Sequence, residues 1–157
     1  MLSRPTTDQV LLDCRAELLA TIGAAVPEGP GQVAVQMMEN VLRNCAVRAA
    51  HEVAWMHEEG VAMVAFAERV AATPLTTPEL GAALTAHGAG ATDSRHLDEA
   101  AATYDLAGRA FGAAMEAVLA GEGRQADELH VEGRALLDLR LAHEREIMGE
   151  WAFVGRA

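Results

Sequence analysis

Residues 36–70, QMMENVLRNCAVRAAHEVAWMHEEGVAMVAFAERV, decide the fold. At about 100° per residue, Met38, Val41, Cys45, Ala49, Met56, Met63 and Val70 fall on one stripe of a helix. Glu52 and Glu59 lie within the same stripe, and Arg48 lies at its edge. The helix extends from about Gly31 to about Ala72, a length of about 60 Å. That exceeds what one small bundle covers, so the reading is a homodimer, with a kink near Gly60 as the competing explanation.

Outward from this helix the chain stays helical. PEGPG (residues 27–31) is a tight break. Before it, Thr6 and Gln9 have capping-box spacing, and Val10, Leu11, Cys14, Leu18, Leu19 and Ile22 form an amphipathic pattern. After it, Pro74 stops the long helix, and Thr77-Pro78-Glu79 starts a short one. GAGA (residues 88–91) reads as a flexible loop. A third main helix starts near Asp93 or Ser94 and stops before Gly121-Glu122-Gly123, where glycine fits the left-handed C-terminal position. In it Ala100, Ala107, Gly108 and Gly112 let a neighbouring backbone approach. The fourth runs from about Arg124 to about Val154, with Leu129, Leu136, Ile147, Trp151 and Val154 as its apolar stripe and Arg140 at the centre. No segment alternates with period two, so no sheet is expected. The expected architecture is all-α: a four-main-helix antiparallel bundle over residues 1–157, with a long second helix and a short extra helix in the 73–91 connection.

Composition narrows the function. A chain of 157 residues builds a core without staples. Its net charge is −11 and its 12 basic residues, all Arg, form no cluster, which argues against nucleic acid. No stretch reaches the length of a membrane span and no leader is evident, so the chain reads as cytoplasmic. Cys14 and Cys45 read as reduced, small core residues, with a redox pair as the alternative.

The chemistry-bearing residues concentrate in two similar stretches. RAAHEVAWMHEE (residues 48–59) and RLAHEREIMGEW (residues 140–151) both carry Arg-x-Ala-His-Glu. The wheels place Arg48, Glu52, Glu59, Arg140, His143 and Glu144 in or beside the core stripes, which predicts a buried salt-bridge network. An internal duplication and a chance echo both account for the similarity. A metal site would draw on Glu52, Glu59, His143 and Glu144, but Glu-x-x-His is absent from core positions and nearby arginines repel a cation. No cofactor is expected. Glu59 has no arginine one turn away, which makes it the candidate general base if the chain is an enzyme. Met37, Met38, Met56, Met63 and Met115 fill a core or line an adaptable surface.

Several segments carry a resemblance. Arg4-Pro5-Thr6, Leu11-Leu12, Arg15-Ala16-Glu17-Leu18-Leu19, residues 36–42 and Arg48-Ala49-Ala50-His51-Glu52 resemble a bacterial family of small helical proteins of unknown function. Its genes lie beside those for aminoglycoside-phosphotransferase-like and acyl-CoA-dehydrogenase-like enzymes. The resemblance covers roughly the first 60 residues and carries over no catalytic residue. It implies an accessory role beside such an enzyme. The leading expectation is therefore a non-enzymatic accessory or assembly protein, a homo-oligomer with an enzyme partner. The alternative is a metal- or small-ligand-binding bundle using core Glu and His.

Overall fold

The computed structural model describes residues 4–149, all-α, with no strand among them. The helices are α1 (Thr7–Glu17), α2 (Pro30–Ala71), α3 (Pro78–Gly90), α4 (Leu97–Ala120) and α5 (Arg124–Met148). The chain divides into two compact units. The first comprises Met1–Glu52 and Ala142–Ala157, and the second is Val53–Leu141. Trp151 and Val154, assigned above to the last apolar stripe, lie outside the described residues, as does Glu150 of the second motif.

The second unit is a helical bundle with a continuous core. α2 supplies Met63, Phe66, Ala67 and Val70, and α3 supplies Leu80. α4 supplies Ala107, Ala110, Phe111, Ala114, Ala117 and Val118. Leu129 and Leu136 of α5 pack against them. With so few aromatics in the chain, one pair anchors this core: the Phe66 and Phe111 rings lie 5.4 Å apart at 56°. Elsewhere small side chains let the helices close. A Cβ at Gly133 of α5 would crowd the Met115 thioether and stand 3.1 Å from Phe66 Cζ, so these side chains would have to shift to admit one.

Three local expectations are corrected here. Gly108 and Gly112 face open space, and the alanines at 107, 110 and 114 make the close packing instead. GAGA is not a flexible loop: α3 continues to Gly90, whose missing Cβ makes room for Leu106. Packing on α4 offsets the entropy cost of the glycines. α4 starts at Leu97 rather than at Asp93 or Ser94, because Thr92 and Ser94 spend their hydroxyls on turns. The left-handed glycine at the α4–α5 turn is Gly123, at φ +91°, while Gly121 ends α4 in an extended conformation.

The first unit is held differently. Among its described residues the buried apolar ones are Leu18, Val35 and Ala46. Polar contacts supplement them. Arg15 pairs with Glu39 at 2.5 Å, and Arg43 donates to the Met148 carbonyl at the C-terminus of α5. The predicted cap is present, since Gln9 accepts the Thr6 N–H at 3.0 Å. Beyond Glu17 the helix widens into a π-helical segment, Leu18–Gly23. The wider turn shifts the phase of the apolar pattern, so Leu18 is 5% exposed but Ile22 is 50% exposed. Cys14 and Cys45 are free and exposed, not core residues as expected from their helical positions.

α2 contributes to both units and is uninterrupted through Gly60. Its stripe forms two columns stepping by seven: Met38, Cys45, Glu52, Glu59, Phe66, and Ala49, Met56, Met63, Val70. Burial rises along the first. Met38 is 56% exposed and Cys45 is exposed, Glu52 is half-buried, Glu59 is buried and Phe66 is fully so. The other column, continued back through Leu42 and Val35, is covered at both ends: Val35 is buried and Leu42 half-buried, Ala49 is exposed, Met56 half-buried, Met63 buried and Val70 fully buried.

Candidate functional site

The second unit contains a cavity of about 390 Å³. The α2 wall comes from residues three and four apart, including Val53, Met56, Gly60 and Val64. α4 supplies Thr103, Tyr104 and Ala107, and the connection 91–96 forms the lip. Gly60 faces α4 across this wall: a Cβ there would make ordinary contact with Ala107 Cβ at 3.7 Å and Tyr104 Cδ2 at 3.9 Å.

In the second unit lies the most buried of the six polar candidates. Glu59 is 7% exposed, as its place in the α2 stripe predicts. Burying a carboxylate requires a donor, and Tyr104 supplies one: its hydroxyl donates to Glu59 Oε2 at 2.5 Å. The guanidinium of Arg140 lies over the Tyr104 ring, 5.9 Å from its centroid. Glu59 and Arg140 thus meet through Tyr104, a residue the sequence reading passed over. One signal pointed to it. Tyr104 is the only tyrosine in the chain, and it lies three residues before the core residue Ala107, on the same face of α4.

The arginines are not buried. Arg140 sits at the centre of its stripe on the wheel but is exposed, because its long stem carries the charge out to water while its head rests on the ring. Arg48 is also exposed and pairs within its own helix, with Glu52 at 2.7 Å. That ion pair is at the surface, not in the core, with side chains 54% and 21% exposed. His143 is half-buried and Glu144 exposed, both in the first unit. In the second unit Glu59, Tyr104 and Arg140 come together. Among the described residues no group of three or more His, Cys, Asp or Glu is placed to hold a metal ion, so Glu52, Glu59, His143 and Glu144 do not assemble as a ligand set. No described helix is long and apolar enough to cross a membrane.

A second candidate surface lies on the first unit. Val33, Met37, Met38 and Val41 are 51–62% exposed and, with Ala34 and the exposed Cys45, follow one face of α2. None of them is charged. On the same stretch of α2 the side-chain carbonyls of Gln32 and Asn44 are buried without a hydrogen-bond partner among the described residues.

No protein-family model matches this chain, and no curated protein or solved structure is significantly similar to it.

Proposed function

We propose that the chain is a non-enzymatic assembly protein whose first unit pairs with a second copy of itself through the exposed stripe of α2. The burial gradient along that helix carries this reading. The column that steps by seven from Met38 to Phe66 is fully buried at Phe66 and open at Met38 and Cys45, with the exposed Val41 beside it. Heptad spacing suits a helix–helix seam. A stripe of this kind is complementary to its own copy, which leads to a closed two-fold dimer. In a chain of net charge −11, an uncharged strip is where two copies approach without opposing charges. Val10, Leu12, Leu19 and Ile22 add to the exposed apolar surface of the same unit, towards the roughly 800 Å² per partner of a standard interface. In this reading the dimer works in the cytoplasm beside an enzyme of the phosphotransferase-like or acyl-CoA-metabolising kind that the family resemblance implies.

Sedimentation equilibrium and thiol labelling test it together. The expected mass is twice 16.6 kDa. Cys45 should label slowly at high protein concentration and quickly on dilution, while Cys14 provides the internal comparison. Met38→Glu or Val41→Glu should leave the helical signal unchanged and give a monomer. A wild-type monomer at high micromolar concentration overturns the proposal. So does a monomer whose Cys45 becomes reactive only when the chain is cut after Gly149, since the chain's own last residues would then be the cover.

A further inference from the structure

The cavity of the second unit plays no part in assembly through the first half of α2. We propose that it binds a small organic acid with an apolar body, the carboxylate held at the lip by Arg95 and the hydroxyls of Thr92, Ser94 and Thr103. Its volume, about 390 Å³, is within the range of small-molecule sites. Its walls are apolar where α2 and α4 face each other, at Val53, Met56, Val64 and Ala107.

The lip is rich in donors for a structural reason. Thr103 Oγ1 accepts the Thr92 N–H at 3.1 Å, Thr92 Oγ1 accepts the Ser94 N–H at 3.3 Å, and Ser94 Oγ accepts the His96 N–H at 3.2 Å. Each hydroxyl oxygen is occupied as an acceptor, and each keeps its own hydrogen to donate. These bonds also fix the lip before a ligand arrives, which lowers the ordering cost of binding. Arg95 adds a permanent cation that makes no ion pair among the described residues. Tyr104 is different: its hydroxyl is committed to Glu59, so its ring serves as wall. His57 and His87 also line the cavity.

Two carboxylates, Glu68 and Asp93, line it as well. Both are exposed, where solvent screens them. Their repulsion grows with ligand charge, so they select a single carboxylate over a polyanion such as a nucleotide phosphate.

Three probes share one body and differ in the head: phenylbutyrate, phenylbutylamine and phenylbutanol. Titration calorimetry on the full chain should show phenylbutyrate binding about tenfold more tightly than phenylbutanol, the scale of one charge-assisted hydrogen bond, and phenylbutylamine more weakly than either. Arg95→Gln, at an exposed position, should leave the melting temperature unchanged and remove the preference for the acid. Amide shifts on adding phenylbutyrate should centre on Gly60, Thr92 and Thr103. Equal binding of the three probes overturns the proposal, as does preference for the amine, shifts centred on Val33 and Val41, or no binding of any probe.

Discussion

The two units use the same alphabet of Ala, Val, Leu and Met to different effect. In the second, eleven buried residues form one cluster across three helices, and two large rings anchor it. Among the described residues of the first, three apolar side chains are buried, and the unit leans on Arg15–Glu39 and on Arg43 at the end of α5. The contrast shows that an amphipathic stripe is only a capacity for burial. α2 carries the same stripe into both units, and the surroundings decide which half is a core.

The largest expected effect tests whether the second unit is the stability centre. Phe66→Ala should cost about 3–5 kcal/mol, while Leu18→Ala in the first unit should fall near the low end of its class, about 2 kcal/mol. Denaturant unfolding followed by circular dichroism measures both. Equal losses would break the comparison.

Tyr104→Phe removes a hydrogen bond to a buried carboxylate and should cost about 1.5–3 kcal/mol. If Glu59 is held mainly by that bond, Glu59→Gln should recover part of the loss when combined with Tyr104→Phe. A double-mutant cycle gives the coupling, and strict additivity would show the pair to be independent.

Two glycines sharpen the packing argument. Gly133→Ala forces a methyl into Met115 and Phe66 and should destabilise by about 1–3 kcal/mol. Gly112→Ala meets nothing within 4 Å and should stabilise by about 1 kcal/mol, the helix propensity difference. Thermal melts that move in the same direction for both would contradict the assigned packing.

The smallest effect belongs to the first unit. The Thr6 hydroxyl, with backbone N–H groups and His51 adding to it, holds the Asp8 carboxyl below its ordinary value against a small opposing effect of burial. A lowered folded-state value means that the carboxylate form favours folding. This contribution is present above the ordinary carboxylate range and is lost as pH falls through the lowered value. Thr6→Val should return Asp8 towards its ordinary value, as a carboxyl-carbon NMR titration would show. An unchanged titration would assign the effect elsewhere.

Much of the backbone was legible. Pro74 and Pro78, the Thr6 and Thr77 caps and the period of α2 are local signals, and they placed the helices within a few residues. The failures share one cause. Gly108 and Gly112 looked like a contact surface, and Gly133 did not stand out. What matters at a glycine is which atom lies opposite, and a wheel carries no such information. Arg140 was misjudged for a related reason: a wheel records where a Cα points, not how far a flexible stem carries its charge. The site suffered most, because Glu59 and Tyr104 are 45 residues apart and only packing brings them together.

The sequence by itself determined an all-α chain, a long second helix with an apolar stripe, and a place for Glu59 within that stripe, since each depends on local periodicity. Only the tertiary structure decided which half of that stripe is covered, that Tyr104 is the partner of Glu59, and that a cavity lies between α2 and α4. Burial and partnership are properties of pairs of distant residues, and no single helix carries them.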